Sequence, residues 1–189
     1  LRPHTLSTLI GLLASTGLRV GEALRLMVTD VWLESEPPCL HLRDTKFYKS
    51  RLVPLHPSTA DHLRHYADLR TALRYQSLSD VFFISEHGGP LHHGALWRWF
   101  TERCRALGLE PIDAGRRPSL SALRHSFAVE RMRLWYHEGV DVQARLPHLS
   151  VYMGHVRPQE SYWYLSATPE LLTAAAERFY CYTAGGGTS

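Results

Sequence analysis

The sequence predicts a mainly α domain with a small three-stranded antiparallel sheet set near its start, an α+β arrangement. Three observations predict it. Apolar residues recur at helical spacing at the start of the chain and again from Ser58 onward. The stretch 31–55 changes to short apolar runs separated by turn residues. No repeat or low-complexity linker divides the 189 residues, enough for one domain with a real core.

Leu6, Leu9, Ile10, Leu12 and Leu13 mark one face of a first helix, and Gly17 is placed to stop it. Val20 to Met27 reads as a second, short helix. Within 31–55 the runs VWL, CLHL and RLVPL alternate with SEPP and DTKFYKS, so strands are expected with Pro37 and Pro38 in the first turn and Lys46 in the second. From Ser58 the pattern is helical, interrupted by VFFIS at 81–85 and HGGP at 87–90. Later helices are expected over 93–107, 121–137, 141–153 and 168–180. The ending AGGGTS has no core-forming residue and reads as a mobile tail, 184–189, after a domain at 1–183.

Composition narrows the function classes. Hydrophobic residues make up 44%, which fits a folded globular chain. No apolar run approaches the roughly 20 residues that span a bilayer, and no basic-then-apolar leader opens the chain. A cytoplasmic protein with no membrane partner is the expectation. Cys39, Cys104 and Cys181 are odd in number and contain no C-x-x-C pair, so they read as reduced thiols. A net charge of +3 is compatible with a polyanionic partner but does not identify one. Among the 12 histidines, His62 with His65 and His92 with His93 lack a third ligand at suitable spacing, so surface histidines are expected and no metal.

Six residues sit in settings that suit phosphodiester chemistry. Arg19 follows a Thr-Gly turn in TGLRVGEALRL, where a planar guanidinium could bond two phosphate oxygens at once. Lys46 and Lys49 lie between two expected strands in TKFYKSRLVPL, from which a long side chain could enter a groove. Arg124 lies in SLSALRHSFA, His155 ends YMGH, and Tyr164 lies in SYWYL. A tyrosine hydroxyl among fixed cations can attack a phosphodiester, with positive charge stabilising what builds up on phosphorus. Taken alone, each cation also suits a solvated surface and each tyrosine a half-buried core ring.

In order, spacing and context, these segments resemble the catalytic domain of the tyrosine recombinases, the phage integrase family, from about Thr5 to about Glu177. The resemblance implies tyrosine recombinase catalytic-domain architecture and a site-specific DNA recombinase or integrase, of the kind carried by mobile elements. It implies Arg19, Arg124 and His155 as groups that hold the transition state, and Lys46 as general acid. Tyr164, nine residues after His155, is implied as the nucleophile that forms a 3′-phosphotyrosyl link. Lys49, Arg51 and Arg157 are expected as DNA-backbone contacts. Double-stranded DNA is the implied partner, with four protomers assembling on it and no metal or nucleotide cofactor needed. Family members usually carry an amino-terminal DNA-binding domain as well, and the chain reads as starting after it. An apolar face on the 168–180 helix (Leu171, Leu172, Ala175, Phe179) could dock on a neighbouring protomer or on its own domain.

One position departs from the family pattern. Three residues before Arg124, where the family has histidine, stands Ser121. A serine cannot supply a cation, although it can donate a neutral hydrogen bond or cap a helix. A type IB topoisomerase, a telomere resolvase, or a decayed DNA-binding relative are the alternatives that the pattern leaves open.

Overall fold

The computed structural model describes residues 2–43, 50–72, 79–109 and 118–155. They fall into two units, Leu1–Arg124 and His125–Ser189, with the division inside one helix. In the first unit α1 spans Arg2–Thr16, α2 Val20–Leu24, α3 Pro57–Ala72 and α4 His93–Ala106. The strands are β1 Val31–Trp32, β2 Cys39–Leu42 and β3 Arg51–Pro54. Helix α5, Leu120–His137, crosses the division, and α6 spans Val142–Met153.

The expected sheet is present, in the order β1-β2-β3 and antiparallel throughout. Its pleat sorts the side chains. Leu40, Leu42 and Val53 are buried on one face. Trp32, His41 and Leu52 lie on the other, where the Trp32 and His41 rings sit 5.3 Å apart and Leu52 is exposed. Leu42 pairs with Arg51, so the segment joining β2 to β3 carries Lys46 and Lys49, which lie outside the described residues.

Helix α1 buries Leu6, Leu9, Leu12 and Leu13 of the predicted stripe, with Ile10 half-buried, and packs against α3. Tyr66 of α3 is the polar pin of this core. Its ring lies against Phe82 and Phe83, and its hydroxyl accepts hydrogen bonds from the Ile84 N–H at 3.1 Å and Thr5 Oγ1 at 3.4 Å. Burial pushes the phenol pKa up, more than these two donors lower it.

The second helix is shorter than the expected Val20–Met27. Tertiary hydrogen bonds explain where it stops. The Leu26 carbonyl accepts from Phe82 N–H at 2.7 Å, and Val28 N–H donates to the Asp80 carbonyl at 2.9 Å. Met27 N–H donates to Asp30 Oδ2 at 3.1 Å, which starts a 3₁₀ turn over Val28–Asp30. Backbone groups that would have continued the helix are therefore committed elsewhere.

The second unit has its own core. Ala128 and Met132 from α5 meet Val142, Leu146, Leu149 and Met153 from α6, with Phe127, Trp135, Tyr136 and Tyr152 packed around them. The start of α6 is fixed by Asp141, whose side chain accepts from Gln143 N–H at 3.0 Å and Ala144 N–H at 3.2 Å. His62, His65, His92 and His93 are exposed, and Cys39 and Cys104 are buried free thiols. No helix among the described residues is long and apolar enough to cross a membrane.

Candidate functional site

The site begins at a glycine. Helix α1 ends at Thr16, and Gly17 follows with φ of 63°, a left-handed conformation that costs other residues the clash of a Cβ. Its N–H closes the helix on the Leu13 carbonyl at 3.0 Å. The chain then turns extended, and Arg19 becomes the residue preceding α2, with φ −70° and ψ 138°. The Gly17 carbonyl accepts a 2.6 Å hydrogen bond from Arg124 Nη1, a contact between residues 107 apart in sequence. The two arginines singled out by the sequence are thus tied to one turn.

Glu22 organises that turn. Its side chain is only 4% exposed. Arg19 reaches it twice, through the backbone N–H to Oε2 and through Nη1 to Oε1, both at 3.1 Å. Arg51 of β3 grips it with both terminal nitrogens, Nη1 to Oε1 at 3.1 Å and Nη2 to Oε2 at 2.9 Å. Burial alone would raise the Glu22 pKa. The hydrogen bonds and charge of Arg51, followed by those of Arg19, outweigh it and hold the carboxyl below its ordinary value. Two guanidiniums thus share one buried carboxylate.

Beside Glu22 opens a pocket of about 250 Å³, lined by Arg25, Leu26, Met27, Asp30, His41, Leu42 and Arg43 as well as Glu22. Buried Asp30 pairs there with Arg43 Nε at 2.6 Å. The pocket wall therefore carries both signs of charge.

Arg124 is carried on the second turn of α5. The residue that caps this helix is Ser119, whose hydroxyl accepts from Ala122 N–H at 3.2 Å. Ser121 lies inside the helix and is exposed, so it is not the cap that the sequence allowed it to be. In the second unit, burial pushes the His125 imidazole pKa down, which favours its neutral form.

His155 is placed by the end of α6. Gly154 takes φ 66° and ψ 41°, its N–H donates to the Val151 carbonyl at 2.9 Å, and His155 N–H donates to the Ser150 carbonyl at 2.9 Å. This is a Schellman closure, so the glycine of YMGH sets the direction in which His155 leaves the helix. The imidazole is half-buried.

The structure thus brings Arg19, Arg124 and Arg51 together within the first unit and seats His155 at a helix end in the second. Lys46, Lys49, Arg157 and Tyr164 lie outside the described residues, as do the 168–180 helix and the 184–189 tail. The grip of Arg51 on Glu22 was not foreseen. Its signal was the period of the strand: Arg51 falls in phase with buried Val53, and Leu52 and Pro54 face outward.

The chain resembles known proteins along most of its length. It is 42% identical over 180 residues to y4rE of Sinorhizobium fredii, a candidate integrase/recombinase, covering 95% of this chain and 56% of that one. It is 31% identical over 164 residues to a tyrosine recombinase of Thermosipho africanus, covering 82% of this chain and 51% of that one. The chain therefore spans about half the length of the curated relatives it matches. Among solved structures, that of XerH site-specific recombinase bound to palindromic difH substrate in a post-cleavage complex superimposes with a TM-score of 0.68 and 25% identity, covering 90% of this chain and 44% of that one. The family model described as "Phage integrase family" matches residues 2–170, a span that contains the arginine turn, the sheet and the end of α6. On these grounds the chain belongs to the phage integrase family.

Proposed function

We propose that this chain is the strand-cleaving part of a site-specific DNA recombinase, and that it breaks and rejoins DNA through a 3′-phosphotyrosyl intermediate. The observation that carries the reading is the turn at Gly17–Arg19. Arg124 is tied to it through the Gly17 carbonyl, and Arg19 within it shares the Glu22 carboxylate with a third arginine, Arg51. Guanidiniums held in one turn in this way suit the oxygens of a phosphate.

In the proposed reaction the Tyr164 hydroxyl attacks phosphorus. The bond to the 5′ oxygen breaks as the bond to tyrosine forms. Lys46 gives a proton to the leaving 5′ oxygen, and the phenol's proton passes to His155 or to solvent. Arg19, Arg124 and His155 stabilise the charge on the nonbridging oxygens, each contribution of this kind being worth about 10²–10³ in rate. The tyrosyl ester conserves the energy of the broken bond, so a 5′ hydroxyl from a partner strand can reverse the step without a nucleotide cofactor. Fixed cations supply the charge that a divalent ion supplies in other phosphoryl-transfer sites, so no metal is called for. Four protomers on two DNA sites would place two such exchanges in sequence. XerH, a site-specific recombinase of similar structure, is described bound to its palindromic difH substrate in a post-cleavage complex, which supports the reading.

The test is covalent capture on nicked duplex DNA, in which the short fragment past the scissile phosphate diffuses away and prevents resealing. A library of nicked duplexes of randomised sequence serves as the probe. The protein is expected to form a denaturant-resistant adduct with a subset of the library. Tyr164→Phe should abolish the adduct while DNA binding stays close to that of the wild type. Capture that survives Tyr164→Phe but is lost with Tyr162→Phe would move the nucleophile. No capture by the intact protein would overturn the proposal.

A further inference from the structure

Arg51 was expected to contact the DNA backbone. Its surroundings suit that role poorly. Its side chain is 12% exposed, and both terminal nitrogens are directed at one carboxylate, that of Glu22. The pleat explains the direction. Arg51 opens β3 on the face of buried Val53, opposite Leu42 of β2. It therefore points under the sheet edge toward α2 and not out from it.

Glu22 also holds Arg19, at both its backbone N–H and its guanidinium. We infer that Arg51 is a positioning residue: its fork fixes the Glu22 carboxylate in the orientation that anchors Arg19 where the scissile phosphate is held. The inference rests on the reading of Arg19 as a phosphate-holding residue.

A planar fork is needed for this task. Lysine offers a single point of contact and could meet one oxygen at a time. Among the described residues, the charged groups bonded to Glu22 are Arg19, ahead of α2, and Arg51, from β3. The adjoining pocket adds Arg25, Asp30, His41 and Arg43. Removal of Arg51 leaves a buried carboxylate with one cation in place of two, so its pKa rises. Protonation then releases Arg19. The wild type holds Glu22 ionised because its pKa is depressed. A variant lacking Arg51 loses the anchor as pH falls through a range in which the wild type keeps it. Asp30 and His41 are common to every variant compared.

The experiment measures single-turnover capture of the nicked duplexes selected by the wild type, as a function of pH, for Arg51→Met, Arg51→Lys, Arg19→Ala and the double variant Arg51→Met with Glu22→Gln. Arg51→Met is expected to capture about a hundredfold more slowly, the scale of a misplaced reacting group, with DNA affinity little changed and a rate that declines on acidification. Arg51→Lys should recover part of the rate. The double variant has no carboxyl to titrate, so it should regain the pH profile of the wild type while remaining slow. Arg51→Met rates equal to wild type would overturn the inference. So would a loss of DNA affinity as large as the loss of rate with no change in pH profile, which is the mark of a direct DNA contact. If Arg51→Met does not fold, Arg51→Lys decides, and wild-type rates there overturn the inference. Arg19→Ala isolates the underlying reading: undiminished capture by that variant sinks the role of Arg19 itself. Nitrogen-15 relaxation of Arg19 Nε reads the positioning without DNA. It should show Arg19 loosened in Arg51→Met, and unchanged order would overturn the inference.

Discussion

Glu22→Gln separates two things that the arginine turn combines, stability and charge. The carboxylate accepts four described hydrogen bonds, from Arg19 N–H and Nη1 and from Arg51 Nη1 and Nη2, at 2.9–3.1 Å. Glutamine keeps one oxygen and turns an NH₂ toward the remaining donors. Breaking one partner out of a buried ion pair costs about 3–5 kcal/mol, because it strands the other charge. With a urea dependence of about 2 kcal/mol per molar, the unfolding midpoint should fall by about 2 M. Asp61→Asn is the control. Asp61 meets Arg64 at 2.9 Å, the same distance as the shortest Glu22 contact, but is 72% exposed. That pair should be worth below about 1 kcal/mol. The sign of the pH effect follows from the depressed Glu22 pKa. Its contribution to stability is full above the ordinary carboxylate value of 4.5 and is lost as pH falls through the lower folded value. The gap between wild type and Glu22→Gln should therefore close on acidification. Charge moves the other way: the substitution removes one negative charge from the arginine turn, so affinity for duplex DNA in a salt titration should hold or rise even as the fold weakens. A midpoint shift no larger than that of Asp61→Asn, or a gap that widens in acid, would refute the reasoning.

Two further predictions concern the other site residues. Gly154→Ala places a Cβ at φ 66°, at a cost of about 1–2 kcal/mol, and should re-aim His155; capture rate should fall more than thermal unfolding alone accounts for, and full activity would show that the glycine does not set the histidine. Ser121→His restores the cationic donor that the family pattern has; because Ser119 caps α5 and Ser121 is exposed, the helix should be unaffected and capture should speed up by as much as about a hundredfold, whereas an unchanged rate would mean that the position contributes nothing to the step.

Most of the architecture was legible because it depends on local pattern. The leucine stripe of α1, the alternating runs of 31–55 and the helical periods expected at 93–107, 121–137 and 141–153 each reappear within a residue or two. Gly17 was also legible as the stop of α1, whereas the left-handed turn at Gly154 that places His155 was not singled out. What failed was what depends on distant partners. The expected extension of α2 to Met27 lost to hydrogen bonds from 80–82, a segment whose approach no local propensity encodes. Ser121 was a reasonable cap by residue type, but the helix began one residue earlier and Ser119 took the role. Arg51 is the most instructive case. It was expected beside Lys49 as a contact to the DNA backbone, and the strand's alternation puts it in phase with buried Val53 and sends its guanidinium to a carboxylate 29 residues away. A basic stretch is therefore not one kind of surface. Where it enters a strand, every second cation turns inward, and an inward cation on a strand beside a buried acid is better read as support for a site than as part of the surface that meets DNA.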